Sequence, residues 1–161
     1  DEKRTSRPRL EMLGDSYPHL TADVSNKTYA FCGDLGRGRT VRSLVELLMK
    51  YDHVSMVFIS PSHPKFQLGE DLISRLRDRG IPFEEIDSLD ACLDGIPILH
   101  QIDCLYMTRI QQEHNNQEDD EFFASTDMTN YRLTPERVDQ MRSYAPILHP
   151  FPKYAKKNTE K

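Results

Sequence analysis

The sequence lacks any apolar run near the roughly 20 residues that a membrane-spanning helix needs. Its first residues, DEKRTSRPRL, contain no hydrophobic stretch, so we expect no secretory signal peptide. Positive charge is not in excess either, because the formal net charge is −5 at pH 7. A net negative charge argues against nucleic acid or an anionic membrane as a partner. We therefore predict a cytoplasmic protein that binds neither nucleic acid nor membrane.

Cysteine is scarce, and the three that occur do not form a CxxC pair. Cys32, Cys92 and Cys104 are an odd number and lie in apolar contexts, which favours buried, reduced thiols over a disulfide framework or a zinc site. The acidic run EDDE at 118–121 is too unspecific to indicate a metal site, and a solvated loop is its simplest interpretation. We predict no metal and no cofactor.

Apolar and polar segments alternate along the chain in a regular order. Short apolar runs predict strands at 28–33, 54–60, 81–87, 102–108 and 145–153. Segments with helical periodicity or capping residues separate them, at 39–51, 69–80, 88–95 and 133–144. This alternation predicts an α/β fold: a Rossmann-like open parallel sheet of about five strands with helices on both faces.

The domain boundaries follow from the same patterns. Residues 1–27 are predicted to be an irregular N-terminal arm, 28–153 a single α/β domain, and 154–161 a C-terminal tail. We also predict local features of the helices, namely an ion pair between Asp71 and Arg75, a cap at Gly80, caps at Ser88 and Thr134, and Pro135 at a first helical position.

Ligands of open parallel sheets bind at the carboxyl ends of the strands, so the residues after each strand are the candidates for a site. The first strand is followed by GDLGRGRT, which has three glycines in six residues and leads into a helix. Arg39 and Thr40 would lie at that helix N-terminus, where free N–H groups attract an anion. The GxxGxG spacing matches neither the dinucleotide fingerprint nor the P-loop. A glycine-rich turn with solvated arginines is the alternative.

The fourth strand ends in Arg109, Gln111 and Glu113, which point the same way if the chain stays extended. A guanidinium can hold a carboxylate through two parallel hydrogen bonds, and Glu113 would orient an arginine from behind. An ordinary surface ion pair is the alternative here.

The fifth strand ends in His149, Pro150, Phe151 and Pro152. Prolines fix such a turn and leave its carbonyls free to accept hydrogen bonds from an NH₂ group, although a plain rigid loop explains the pattern as well. Taken together, the three strand ends describe a concave site with two arginines and exposed carbonyls. Such a site suits a small dianion that carries an amine or an amide.

The same three stretches resemble motifs of the aspartate and ornithine carbamoyltransferases. GDLGRGRTVRSL resembles G-D-L-x-x-G-R-T-x-x-S-L, LYMTRIQQE resembles L-Y-M-T-R-x-Q-x-E, and LHPFPK resembles H-P-L-P-R, all in the family's order. The ornithine branch carries H-C-L-P where this chain has HPFP, which makes aspartate the expected substrate. The resemblance covers about residues 28–153 and corresponds to the aspartate-binding domain.

The resemblance implies transfer of a carbamoyl group from carbamoyl phosphate to L-aspartate, a step of pyrimidine biosynthesis, without a covalent intermediate. It implies that Arg39 and Arg109 grip the two carboxylates, helped by Thr40 and Gln111. Carbonyls near Phe151 and Pro152 would receive the carbamoyl NH₂, with Glu113, His149 and Pro150 behind these groups.

The chain departs from the family in what it omits. The S-T-R-T and H-P-x-Q motifs of the carbamoyl-phosphate domain are absent, and His114 and Lys153 stand where the family usually has arginines. No catalytic residue is therefore certain in this chain, which we expect to need a carbamoyl-phosphate domain in cis or in trans. The family implies a homotrimer of the complete protein. The alternative is a non-catalytic aspartate-binding regulatory module, or a pseudoenzyme partner of a full-length carbamoyltransferase.

Overall fold

The computed structural model describes residues 23–109, 121–122 and 124–150. The seven strands within these ranges are β1 (Thr28–Cys32), β2 (Ser55–Ile59), β3 (Phe83–Ile86), β4 (Cys92–Leu93), β5 (Ile96–Pro97), β6 (Cys104–Met107) and β7 (Ile147–Leu148). The helices there are α1 (Arg39–Leu48), α2 (Glu70–Asp78), α3 (Ile98–Gln101), a 3₁₀ helix (Met128–Tyr131) and α4 (Pro135–Asp139). Residues 121–122 and 124–125 are also helical. In this part of the chain, no helix combines the length and apolar character needed to cross a bilayer.

The predicted fold is confirmed. Five strands form one sheet in the order β3-β2-β1-β6-β7, and every neighbouring pair is parallel. Each of the five corresponds to a predicted strand, although β7 is only two residues long. The predicted boundaries of the arm and the tail fall on or next to residues outside the described ranges and stay predictions.

Alternate residues of the central strands enter two separate hydrophobic layers, because successive side chains of a strand point to opposite faces. Phe31 and Phe58 pack with α1 and α2 on one face. Ala30, Val57 and Leu105 pack on the other face with α3 and with the chain between β6 and β7. Both faces of the sheet are thus covered, which explains why its strands read as continuous apolar runs.

The direction of the chain reverses between β1 and β6. From β1 the strands proceed through β2 to β3 on one side, with α1 and α2 against a single face. The chain then returns past β1 and proceeds through β6 to β7, with its connections against the opposite face. Right-handed crossovers require this change of face when the direction changes. The neighbours β1 and β6 therefore mark the topological switch point of the sheet.

The predicted helix at 88–95 is wrong, because this segment is a turn followed by the β4–β5 hairpin. Asp94 and Gly95 both have positive φ, 53° and 77°, and they form the two-residue loop between paired strands. An Asp-Gly pair with positive φ at both positions is typical of the hairpin turn that matches strand twist. Ser88 accepts a hydrogen bond from the Asp90 amide in this turn instead of capping a helix. Cys92 lies in β4 and is exposed, which corrects its predicted burial.

The predicted ion pair between Asp71 and Arg75 is also wrong. Arg75 pairs with Glu46 at 2.6 Å, and Asp71 pairs with Arg42. Both partners belong to α1, which packs beside α2 on the same face of the sheet. Facing helices brought opposite charges together, and these contacts replaced the local one.

The predicted caps at Gly80 and Thr134 are confirmed. Gly80 follows the end of α2 with φ of +64°, the left-handed conformation that closes many helices. The Thr134 side chain accepts a hydrogen bond from the Arg137 amide, and Pro135 occupies the first helical position of α4. That helix ends at Asp139, well before the predicted end at 144.

Arg137 connects the loop after β3 to the 3₁₀ helix and the residue that follows it. Its guanidinium donates to both carboxylate oxygens of Asp90, at 2.8 and 2.5 Å, and to the carbonyls of Thr129 and Arg132, at 2.6 and 2.5 Å. These hydrogen bonds hold the pKa of Asp90 below its ordinary value. Only the planar, five-donor guanidinium has the geometry for all four contacts.

We expect Arg137→Lys to lower the free energy of unfolding by about 2 kcal/mol at pH 7, because lysine cannot replace these bonds. The stability that a lowered aspartate pKa contributes is complete above the unfolded value of about 3.9 and is lost as pH falls through the folded value. The difference between variant and wild type should therefore shrink below pH 4. Urea denaturation at pH 7 and below pH 4 measures the difference in unfolding free energy between variant and wild type. Arg75→Lys, in an exposed ion pair, is the control. Equal losses in the two variants would contradict this role.

Candidate functional site

The carboxyl ends of β1 and β6 meet at the switch point. The Thr108 amide donates to the Cys32 carbonyl at 2.8 Å and extends the pairing of the two strands by one residue. Beyond this bond the chain after β1 enters α1 on one face, and the chain after β6 leads to the opposite face. Diverging connections of this kind open a crevice at the sheet edge, the usual place for a ligand in open α/β sheets.

Gly33 is the residue at which the chain after β1 turns out of the sheet. Its φ of +118° is open to glycine but not to other residues without strain. A Cβ placed there would lie 2.6 Å from both the carbonyl oxygen and the hydroxyl oxygen of Thr108. The two loops of the crevice therefore touch through backbone, and their spacing depends on the missing side chain.

Asp34 is fully buried and organises the loop between β1 and α1, residues 33–38. One carboxylate oxygen accepts from the Arg37 amide at 3.1 Å, and the other accepts from Arg37 Nε at 2.8 Å. Its own amide donates to the Thr108 hydroxyl at 2.8 Å. A buried carboxylate is stable only when it is paired and hydrogen-bonded in this way. The pair thus holds the glycine-rich turn against the start of the second loop.

Arg39 and Thr40 are the first two residues of α1, as predicted, and both are exposed. The N-cap is Gly38, which has no side chain to occupy the free amides of the first turn. Those amides and the positive end of the helix dipole are available to an anion. In contrast, Arg37 is held by Asp34, so the alternative of solvated arginines fails at that position.

Arg109 follows Thr108 directly and is half-buried. It leaves β6 beside the loop that Asp34 organises, so Arg39 and Arg109 are carried by the two connections that border the crevice. The predicted convergence of their side chains on one ligand stays a prediction. Gln111 and Glu113 lie outside the described residues.

The third predicted strand end lies next to these two. β7 pairs with β6, and His149 and Pro150 follow it at the same edge of the sheet. His149 is half-buried, and its Nδ1 contacts the Pro150 carbonyl. Phe151 and Pro152 lie outside the described residues. The sheet order thus aligns the three motif-bearing loops side by side on β1, β6 and β7.

Cys32, the last residue of β1, directly precedes the turn at Gly33. Burial raises the pKa of its thiol to about 12, and the thiol points toward the Tyr131 carbonyl at 3.8 Å. A thiol with this pKa is protonated at neutral pH and is a poor nucleophile.

A large groove of about 710 Å³ lies elsewhere, at the amino ends of β2 and β3. It is bordered by Met49 and residues 51–55 and 79–82, at the sheet edge opposite to the motif-bearing loops. We take the switch point as the candidate site because the change of chain direction, the N-terminus of α1 and the connections that carry Arg39 and Arg109 meet there. The volume of a groove does not by itself indicate a function.

The sequence patterns did not indicate the residues that hold the loops of the crevice in place. Asp34, Arg37 and Phe66 belong to this group, since Phe66 accepts backbone hydrogen bonds from Leu35 and Gly36. An aspartate directly after a buried strand was a visible signal for the first of them. No local pattern marked Phe66, which is 30 residues distant along the chain from Gly36.

The family model for the Asp/Orn binding domain of aspartate/ornithine carbamoyltransferases matches residues 25–161. The chain belongs to this family. It is 34% identical over 134 residues to the aspartate carbamoyltransferase catalytic subunit of Clostridium novyi, which covers 83% of the chain and 40% of that relative. It is also 34% identical over 145 residues to the subunit of Lachnoclostridium phytofermentans, covering 88% and 43%.

Solved structures of the family show the same fold. The catalytic subunit of M. jannaschii aspartate transcarbamoylase matches with a TM-score of 0.65 and 32% identity, over 91% of this chain and 42% of that one. The Trypanosoma cruzi enzyme in complex with aspartate and phosphate matches with a TM-score of 0.63 at 23% identity, which supports the fold alone. The chain spans about two fifths of the length of these carbamoyltransferases.

Proposed function

We propose that this chain is the aspartate-binding part of an aspartate carbamoyltransferase that forms N-carbamoyl-L-aspartate from carbamoyl phosphate and L-aspartate. The observation that carries the proposal is the crevice at the switch point, which has Arg39 and a free helix N-terminus on one side and Arg109 on the other. Two guanidinium groups and a helix dipole suit a substrate with two carboxylates. Family membership at 34% identity to catalytic subunits supports the same function.

The proposed reaction needs positioning more than covalent chemistry. The amine of aspartate attacks the carbonyl carbon, a C–N bond forms, the C–O bond to phosphate breaks, and the amine loses a proton. Arg39 and Arg109 hold the carboxylates so that the amine faces the carbonyl, with Thr40 and Gln111 steadying that grip. Carbonyls at Phe151 and Pro152 accept from the carbamoyl NH₂. Orienting two reactants in this way contributes much of the rate in such transfers.

The other reactant requires groups beyond this chain. Carbamoyl phosphate needs cationic and carbonyl-polarising side chains, and we propose that a carbamoyl-phosphate domain supplies them, either in the same polypeptide or as a separate subunit. The homotrimer, the cytoplasmic location and the role in pyrimidine biosynthesis are parts of the same proposal. A non-catalytic regulatory module finds no support, since the relatives carry the names of catalytic subunits.

Two experiments test the proposal. Calorimetric titration of the 161-residue chain with L-aspartate and with L-ornithine tests the binding half. A fusion of the chain to the remaining part of the M. jannaschii catalytic subunit, supplied with carbamoyl phosphate, tests catalysis. We expect preference for aspartate and release of one phosphate per carbamoylaspartate.

The parent M. jannaschii subunit, and its isolated carbamoyl-phosphate part, are the positive and negative controls for the fusion. A folded chain without aspartate binding, together with a folded fusion without product, would overturn the proposal. Aspartate binding by the chain without turnover in any fusion would favour the regulatory or pseudoenzyme alternative.

A further inference from the structure

Three rings and one guanidinium pack against one another beside the crevice. The Arg37 guanidinium lies 4.5 Å above the centroid of the Phe66 ring. Phe66 in turn stacks on Phe122, with centroids 5.9 Å apart and an interplanar angle of 16°. His63 completes the group at 4.6 Å from Phe122 and 5.5 Å from Phe66. We call these four residues the aromatic cluster.

The cluster joins three connections that are distant in sequence. Arg37 belongs to the loop after β1, His63 and Phe66 belong to the loop after β2, and Phe122 belongs to the connection that leaves β6 at Arg109. Backbone contacts reinforce the first junction, because the amides of Leu35 and Gly36 both donate to the Phe66 carbonyl.

The contact between the first two loops leaves no room for adjustment. A Cβ on Gly36 would lie 2.3 Å from the Lys65 carbonyl oxygen. The two backbones therefore approach as closely as only glycine permits, and any shift of the β2 loop must move the loop that precedes Arg39. Phe66 is fully buried at this junction.

Two points of the connection after β6 contact the same structure. At its start, the Thr108 hydroxyl accepts from the Asp34 amide. Further along, Phe122 stacks on Phe66, and the Phe66 ring also contacts the Arg37 guanidinium that pairs with Asp34. Asp34, Arg37 and Phe66 thus lie between these two points.

We propose that Arg37, Phe66 and Phe122 are positioning residues of the aspartate site. They lock the start of α1, with Arg39 and Thr40, to the connection that begins at Arg109, so that the two arginines keep the separation that a four-carbon diacid needs. This inference rests on the proposed function. A displacement of about 1 Å at a bound reactant is enough to cost large factors in binding or rate.

The structure offers a matched control for this kind of contact. Phe83, in β3, lies 6.2 Å from Phe58, and the Arg77 guanidinium is 5.8 Å above its ring. It has the same combination of aromatic and cationic neighbours but lies on the sheet strand most distant from β6 and β7. Phe83→Leu should therefore cost stability without moving the crevice.

Calorimetric titration of the 161-residue chain with L-aspartate tests the positioning role. We expect Phe66→Leu, Phe122→Leu and Arg37→Lys each to raise the Kd for aspartate by about tenfold, because each removes a stacking or cation–π contact of the cluster. The leucine variants keep an apolar side chain, and the lysine variant keeps the positive charge. Phe122→Tyr keeps the ring and should bind as wild type does. Phe83→Leu should lower the melting temperature while leaving the Kd within about twofold. Equal effects of Phe83→Leu and Phe122→Leu on affinity would overturn the proposal.

Amide chemical shifts of the ligand-free chain separate failure of this inference from failure of the proposed function. Phe122→Leu should shift the amides of residues 34–40, whereas Phe83→Leu should leave them in place. Wild-type protein that binds no aspartate would count against the binding half of the proposed function, and the amide shifts would still report whether the cluster couples the loops. Unchanged amides at 34–40 in Phe122→Leu would refute the coupling itself, even in a chain that binds aspartate well.

Discussion

Replacing Arg109 with alanine is expected to raise the Kd for L-aspartate by about a hundredfold, which corresponds to about 2.7 kcal/mol. The proposed contact is a bidentate, charge-assisted pair. A hydrogen bond to a charged group contributes about 1.5–3 kcal/mol, which is lost when one partner is removed. Arg109→Lys should recover only part of the affinity, since a single ammonium cannot reproduce the fork. Calorimetric titration gives the Kd for aspartate of both Arg109 variants. Arg39→Ala should raise the Kd by a similar factor.

Lys50→Ala is the control for a simple loss of positive charge. Lys50 is exposed and lies beyond the C-terminal end of α1, opposite to the end that borders the crevice. Its removal should change the Kd by less than about twofold, because exposed charges this far apart are largely screened at physiological salt. Equal effects of Lys50→Ala and Arg109→Ala would mean that Arg109 attracts aspartate only through net charge and does not bind it.

Replacing Gly33 with alanine is expected to lower the free energy of unfolding by about 3 kcal/mol and to abolish aspartate binding. The φ of +118° is strained for any residue with a Cβ, at a cost of about 1–3 kcal/mol. The added atom would also meet the Thr108 carbonyl and hydroxyl at 2.6 Å. Relief of this clash must separate β1 from β6 at the crevice.

Gly80→Ala is the matched control, because it has the same positive sign of φ without the clash. Gly80 has φ of +64°, and no atom lies within 4 Å of the Cβ position. The Gly80→Ala variant should lose only about 1 kcal/mol of unfolding free energy, as measured by urea denaturation, and should keep its affinity for aspartate. Similar losses in both variants would show that backbone strain alone, and not contact between the two loops, makes Gly33 necessary.

Local sequence patterns predicted the strands and the main helices because each depends on residues close together in the chain. The continuous apolar runs of β1, β2 and β6 are required by burial on both faces, and the helix beginning at Arg39 shows its buried side at helical spacing. The same reasoning failed at 88–95, where the Asp-Gly pair favoured a hairpin turn over the helix suggested by the surrounding residues.

The rule that ligands bind at strand ends pointed to Arg39 and Arg109, and the structure places both on connections that leave the neighbouring strands β1 and β6 at one edge of the sheet. Their part in a binding site stays a prediction. The rule did not supply the order of the strands, and so it could not show that β1 and β6 adjoin while β3 lies at the far side.

The sequence by itself determined the α/β class, the residues that carry the three family motifs and the turn that only glycine can make at 33. The tertiary structure alone decided which residues meet across the crevice. Asp34 and Thr108 are 74 residues apart, and the Phe66 and Phe122 rings also come from separate connections. Contacts of this kind depend on how the crossovers are arranged around the sheet, and hydrophobic periodicity, which reports only local burial, does not encode that arrangement.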